Sequence, residues 1–425
     1  MSCLLKQLVC QHPETPPNVQ LAYARWAAQE TPTKDNFIFT KLLTECARAF
    51  PKVFVVLDGL DEFQEEQRVD FIPWFQLLFD AGLKLFITTR PHLFGALISR
   101  FPEAKGMEIS AHSEDVETWL KSTMEMRAEY LDEGLRARIA ESVSVSSGSS
   151  YEPIDDFTNG RFLLAESQLN YVLGRYAPRA MVQALRTLPK NLDDLYRDIM
   201  DRIDASGTSV RDLAFKTLSW IFHAARPLHM DELRELLVIL PGDSKLVSWT
   251  LPKDTQFVLK PCEGLVTYDD DGKVVRFAHY TVQNFLERNP EIRDSVPNLA
   301  EICLAYLAFE EFEEGPLRED VELHQRMEEH KAGSYVSQFW GFHTRGEAER
   351  SSSVRATVLS VLSSTRRREA ILQMEGYDQS GSAHNSYIQD QTPLHILARL
   401  GLSYICSRIL NGVWDEVERY LFCDA

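Results

Sequence analysis

Apolar residues along the chain fall first into short unbroken runs and then into helical spacing. Residues 53–57, VFVVL, are five apolar positions in a row, a pattern that predicts a strand buried on both faces. Residues 84–89, KLFITT, are a second β-branched and apolar run. Between them, residues 69–81, VDFIPWFQLLFDA, have the length and composition of a helix with an early proline. Strand, helix, strand in this order predicts a right-handed βαβ unit. Upstream, residues 3–10 read as the end of an amphipathic helix, residues 12–19 with their three prolines as a loop, and residues 37–50 as a helix. Downstream, helices are predicted over 93–100, 111–126 (with Ser113 as N-cap), 156–173 and 179–188. Residues 142–150, SVSVSSGSS, predict a flexible loop.

The next stretch is more periodic. After Pro189, Leu192, Leu195, Ile199 and Ile203 recur at three- and four-residue steps, one face of a helix. Residues 210–223 and 229–240 predict two helices joined by a short turn. Residues 264–269 and 273–279 are alternating runs around Asp270, Asp271 and Gly272, the pattern of a hairpin, and 281–287 is a helix. Helix, helix, hairpin, helix is the pattern of a winged helix. Further helices are expected over 298–312, 321–330 and 334–343. Near the end, TPLHILARLG (392–401) followed by LSYICSRIL predicts a capped helix, a tight turn and a second helix. The basic run Arg366 to Arg368 is too short to point to nucleic acid.

The polar residues at strand ends carry the candidate chemistry. The first strand runs into Asp58, Asp61 and Glu62, and the second into Arg90. Parallel strands place such residues at the carboxyl edge of a sheet, where open α/β sheets bind ligands. An aspartate there can hold Mg2+ through water, and a following acid can polarise an attacking water. Composition narrows the rest. The 425 residues carry a net charge of −18 with pI near 5.1, against a dominant nucleic-acid-binding role. No apolar run is long enough to span a membrane, and the N-terminus does not read as a secretory signal. Seven scattered cysteines without a C-x-x-C pair fit reduced thiols in a cytoplasmic protein and give a zinc site no support.

VFVVLDGLDE followed by LFITTRP resembles the Walker B and sensor 1 segments of a NACHT domain, from the STAND class of signalling P-loop NTPases. FLLA (162–165), LPKNLDDLY (188–196), LSWIFHAARPL (218–228), FAHYTVQNFLE (277–287) and the TPLH turn are similar to segments of fungal-type NACHT–ankyrin repeat proteins. The resemblance implies an α/β partial P-loop NTPase core, then a mostly α-helical domain, a winged-helix domain and the start of an ankyrin repeat array. The expected boundaries are 1–125 for the core, 126–205 for the helical domain and 206–296 for the winged helix. A helical linker region follows over 297–385, and a single ankyrin-like repeat with its tail over 386–425.

For ATP or ADP with Mg2+, the resemblance implies roles for particular residues. Asp58 would hold the metal through water, and Asp61 and Glu62 would serve any hydrolysis. Arg90 would contact nucleotide, Pro189 would pack on the adenine, and His279 would reach a phosphate. Pro189 reads equally as a helix-start proline. The phosphate-binding loop G-x-x-x-x-G-K-S/T occurs nowhere in the chain. Its only Gly-Lys pair, Gly272-Lys273, lies in the hairpin turn, with Thr267 and Val274 where the motif needs Gly and Ser or Thr. The expectation is therefore a chain N-terminally truncated with respect to the family, with a hydrophobic sheet edge exposed where the loop-bearing strand is missing, and weak or no nucleotide binding. It is expected to be a regulatory or scaffold module that meets other proteins through its ankyrin region, with homo-oligomers possible and neither membrane nor nucleic-acid partners. The alternatives are an active ATP-binding switch and, less favoured, a winged-helix DNA binder.

Overall fold

The computed structural model describes residues 2–27, 36–60, 65–89, 91–107, 109, 112–148, 160–175, 177–377 and 391–412. It is mostly helical, and divides into two compact units, residues 1–166 and 167–425. Asp61, Glu62 and Arg90 fall outside the described residues.

In the first unit, helices α1 (Ser2–Val9), α2 (Pro17–Ala27) and α3 (Asn36–Ala47) precede strand β1 (Phe54–Leu57). Part of the predicted 12–19 loop is helical: α2 opens on Pro17, whose fixed φ suits a first helical position and whose missing N–H costs nothing there. Helix α4 (Glu65–Asp80) tolerates Pro73 and leads to β2 (Lys84–Ile87), which pairs parallel with β1 in the register Val56 to Phe86. Helices α5 (Pro91–Arg100), α6 (Ser113–Arg127) and α7 (Glu133–Gly148) follow. His112, not Ser113, is the N-cap of α6, and its backbone N–H donates to the Asp115 carboxylate at 3.2 Å. The serine-rich stretch predicted as a loop is helical as far as Gly148, because Ile139, Val143 and Ser147 line one buried face at four-residue steps.

The sheet is buried on one face only. Val55 packs with Leu42, Leu43, Leu78 and Leu83, while Leu57, Leu85 and Ile87 pack with Leu60, Phe75, Leu97 and Phe101. The alternate residues Phe54, Val56 and Phe86 remain 69%, 63% and 58% exposed. The expectation of a strand buried on both faces therefore fails, because these core clusters draw on α3, α4 and α5 on a single side.

Helix α8 (Gly160–Leu173) spans the division between the units. In the second unit, α9 (Pro178–Ala184) and a 3-10 turn lead to α10 (Leu192–Ala205), capped by Asn191, whose side chain accepts from the Asp194 N–H at 2.8 Å. Leu195, Tyr196, Ile199, Met200 and Ile203 form its buried face. Pro189 is buried two residues before that cap, so it is not a helix-start proline.

The winged-helix segment comprises α11 (Thr208–His223), β3 (Leu228–His229), α12 (Met230–Val238), α13 (Thr255–Leu259), β4 (Val266–Asp269), β5 (Val274–Phe277) and α14 (Tyr280–Leu286). Its antiparallel sheet has the order β3-β5-β4. Two elements escape the periodicity. Strand β3 is two residues long, and α13 is a five-residue helix joined to the hairpin by a 3-10 turn, Lys260–Cys262. The hairpin turn places Lys273 at φ 53°, a left-handed conformation that Gly272 beside it does not take.

Short α15 (Pro290–Arg293) leads into α16 (Val296–Leu307), which is buried along most of its length. Helix α17 (Asp320–Glu329) follows; α18 (Gly333–Thr344) and α19 (Ser352–Ser363) pack on α16, and α20 (Thr365–Glu375) packs on α18 and α19. Arg366, Arg367 and Arg368 donate to the carbonyls of Glu314, Ala308 and Ser363, so the short basic run satisfies carbonyl oxygens of neighbouring segments. The last described pair is α21 (Pro393–Arg399) and α22 (Ser403–Leu410).

Two buried carboxylates join these layers. Glu235 of α12 accepts the N–H groups of Lys331 and Ala332 at the start of α18, both at 2.9 Å, and the Tyr306 hydroxyl at 2.9 Å. Glu349 accepts the N–H groups of Tyr404 and Ile405 at the start of α22, at 3.0 and 3.4 Å. Each caps a helix N-terminus from another element, where unpaired N–H groups and the helix dipole favour negative charge. Replacing Glu235 by Ala leaves three buried donors unpaired, and should destabilise the chain by about 3 kcal/mol. Urea melts of the two proteins check this; a loss below about 1 kcal/mol would show that the cap is dispensable.

Candidate functional site

The sequence-predicted residues fall into the two units: Asp58 in the first, Pro189 and His279 in the second. Asp58 follows β1 and is exposed. The chain turns directly after it at Gly59, whose φ of 68° suits a residue without Cβ. Thr88, at the end of β2, fastens this turn. Its hydroxyl donates to the Asp58 carboxylate and accepts the Gly59 N–H at 2.8 Å, while its carbonyl accepts the Leu60 N–H at 3.0 Å. The parallel register brings the ends of β1 and β2 level, which is why residues thirty apart in the chain meet. Thr88 was legible only as a strand residue; the sequence offers no signal for its contact with Asp58.

An exposed carboxylate held by one hydroxyl suits a hydrated divalent cation, since oxygen ligands and retained waters are what Mg2+ prefers. Among the described residues, no three His, Cys, Asp or Glu side chains cluster as a full protein-made metal site. Phosphate recognition needs more than this carboxylate: a ring of backbone N–H groups or a cation. The sequence contains no loop with the G-x-x-x-x-G-K-S/T spacing.

In the second unit, α10 links the neighbourhoods of Pro189 and His279. The Pro189 carbonyl accepts the amide of buried Gln168 at 2.6 Å. His279 is the half-buried N-cap of α14. Its Nδ1 accepts the Thr281 N–H at 3.3 Å and lies 3.0 Å from the Thr281 hydroxyl. A neutral imidazole whose Nδ1 accepts carries its proton on Nε2. The Thr281 hydroxyl is also 2.8 Å from the Tyr196 hydroxyl of α10, so Tyr196, Thr281 and His279 form one hydrogen-bonded row. Burial raises the Tyr196 pKa, more than the bond to Thr281 lowers it, and keeps the phenol protonated near neutrality. Arg288 adds a bidentate pair to Asp193 of α10, at 2.9 and 2.8 Å. Gln168, Tyr196 and Thr281 were not singled out from the sequence; only Tyr196 leaves a trace there, as an aromatic on the apolar face of α10.

Residues 1–90 match the family described as Nephrocystin 3, N-terminal, and residues 200–297 match the family described as GPI inositol-deacylase, winged helix domain. Both families are associated with NACHT proteins. The first match includes Asp58 and Thr88, and the second includes His279 and Thr281; Pro189 and Tyr196 lie between the two. No curated protein and no solved structure matches the chain.

Thr88→Val removes the hydroxyl that joins Asp58 to Gly59 and leaves the Thr88 carbonyl in place. Hydrogen exchange at the Gly59 amide should accelerate ~10-fold, corresponding to one lost hydrogen bond, with the Leu60 amide little changed. Equal acceleration at both amides would show that β2 itself has loosened.

Proposed function

We propose that this chain is a regulatory or scaffold module of a NACHT–ankyrin-type protein, acting through protein contacts and holding nucleotide weakly or not at all. The observation that carries this reading is the mismatch at the end of β1. Asp58 is presented as a Mg2+-type ligand, yet the sequence supplies no phosphate-binding loop to go with it. In this reading the α21–α22 helix pair is a single ankyrin-like repeat. Thr392 caps α21 and buried Leu397, Leu402 and Ile405 form its inner face. An ankyrin-like repeat buries its apolar face by stacking on a neighbour, and such arrays present surfaces to protein partners.

The second reading is an ATP-driven switch, with Asp58 holding Mg2+ through water, Asp61 and Glu62 serving hydrolysis, and Arg90, Pro189 and His279 contacting nucleotide. The half-buried His279, beside Thr281 at the start of α14, favours it, because an imidazole N–H is a donor that a phosphate oxygen can accept. DNA binding fits poorly. The helix that precedes the hairpin is α13, TQFVL, continued by a 3-10 turn; Lys260 is the single basic residue over 255–262, and Phe257 is exposed. That helix, rather than acidic α12, occupies the recognition position. Among the described residues no helix is long and apolar enough to cross a membrane.

Phosphate release from ATP with Mg2+ separates the readings. The scaffold reading expects the same background rate from the chain and from Asp58→Ala. A rate at least ~10-fold above that of the Asp58→Ala variant would favour the switch.

A further inference from the structure

The uncovered face of the β1–β2 sheet has an ordered chemical sequence. Phe54 and Val56 of β1 lie on it with Phe86 of β2, paired to Val56, and with Lys84, paired to Phe54. At the carboxyl end, Asp58 and Thr88 follow the strands and are joined through the threonine hydroxyl. At the opposite end, exposed Lys52 precedes β1. The face therefore runs from cationic, through three exposed large apolar side chains, to anionic, over a strand length of ~13 Å.

Parallel sheets are normally covered on both faces, because their crossovers lay helices over them. Here the opposite face is filled by Val55, Leu57, Leu85 and Ile87 against α3, α4 and α5. Two copies of this pattern are complementary when related by a two-fold axis that lies between the two sheets, parallel to their planes and perpendicular to the strands. Lys52 and Lys84 of each then oppose Asp58 of the other, and the apolar rows meet in the middle. A two-fold interface uses the same patch on both subunits, so self-complementarity is its requirement.

We infer that the Phe54–Val56–Phe86 face is a homodimer surface, on which a second copy of this chain packs antiparallel, with Lys84 of each copy facing Asp58 of the other. The proposal does not depend on the functional reading above, since it uses neither nucleotide nor the helix pair at 393–410. The face is small, well under the ~800 Å² per partner of a standard interface, so the dimer is a weak one, with Kd on the order of tens of micromolar. The net charge of −18 opposes association at long range, and moderate salt screens that repulsion.

Sedimentation equilibrium of the full chain from ~1 to ~200 μM, in ~0.15 M salt, tests this. The expected result is a monomer–dimer equilibrium that Phe86→Asp weakens at least ~10-fold. A chain that stays monomeric throughout overturns the proposal and leaves the face to a different polypeptide. A dimer unaffected by Phe86→Asp, or an open-ended series of oligomers, also overturns it. The charge register has its own check at the exposed positions 84 and 58. Lys84→Glu should weaken the dimer several-fold, and the double variant Lys84→Glu with Asp58→Lys should recover most of the loss. Failure of that recovery, with both proteins folded by circular dichroism, would overturn the antiparallel arrangement.

Discussion

A buried carboxylate at the start of a helix sets the arrangement of the second unit. Glu235 is 2% exposed, and burial raises its pKa although two backbone N–H groups and the Tyr306 hydroxyl pull the other way. Such a group is tolerated only where its lone pairs are all engaged. Here they meet the N–H groups of Lys331 and of Ala332, the N-cap of α18, which have no partner within that helix. The contact fixes α12 of the winged helix against α18, and α18 in turn packs on α16. Tyr306 completes it from α16, with its own pKa held well above the usual value by burial and by the adjacent carboxylate. The winged helix is thus built into the helices that follow it.

The first unit is governed by a different constraint. A parallel pair of four-residue strands has one side filled by the helices that its own chain supplies. The other side presents Phe54, Val56 and Phe86 to solvent, and the same strands end on the hydrogen-bonded pair of Asp58 and Thr88. Ligand chemistry and an apolar contact surface therefore share one small sheet.

Much of this architecture was legible because it rests on period and punctuation. The four-residue apolar step of α10, the βαβ order and the hairpin around Gly272 all appear in the structure. What escaped notice depends on partners distant in sequence. Strand β3 is two residues long and exists through its pairing with β5. The serine-rich end of α7 reads as a loop by composition, yet the burial of Val143 and Ser147 holds it helical. The exposed face of β1 could not be seen at all, because five consecutive apolar residues look the same whether one face is covered or two. The candidate site divides in the same way. Asp58, Pro189 and His279 stand at element boundaries and were readable as such. Thr88, Gln168, Tyr196 and Thr281 matter through hydrogen bonds that cross up to 85 positions of chain.

The central proposal is that these 425 residues, which contain no G-x-x-x-x-G-K-S/T loop, hold nucleotide weakly or not at all. Calorimetric titration of the purified chain with ADP and Mg2+ tests it most directly. The account predicts no saturable heat at nucleotide concentrations up to ~1 mM, a limit that corresponds to about 4 kcal/mol of binding free energy. Saturable binding at micromolar ADP, lost in both Asp58→Ala and His279→Ala, would contradict it and make the chain a nucleotide switch.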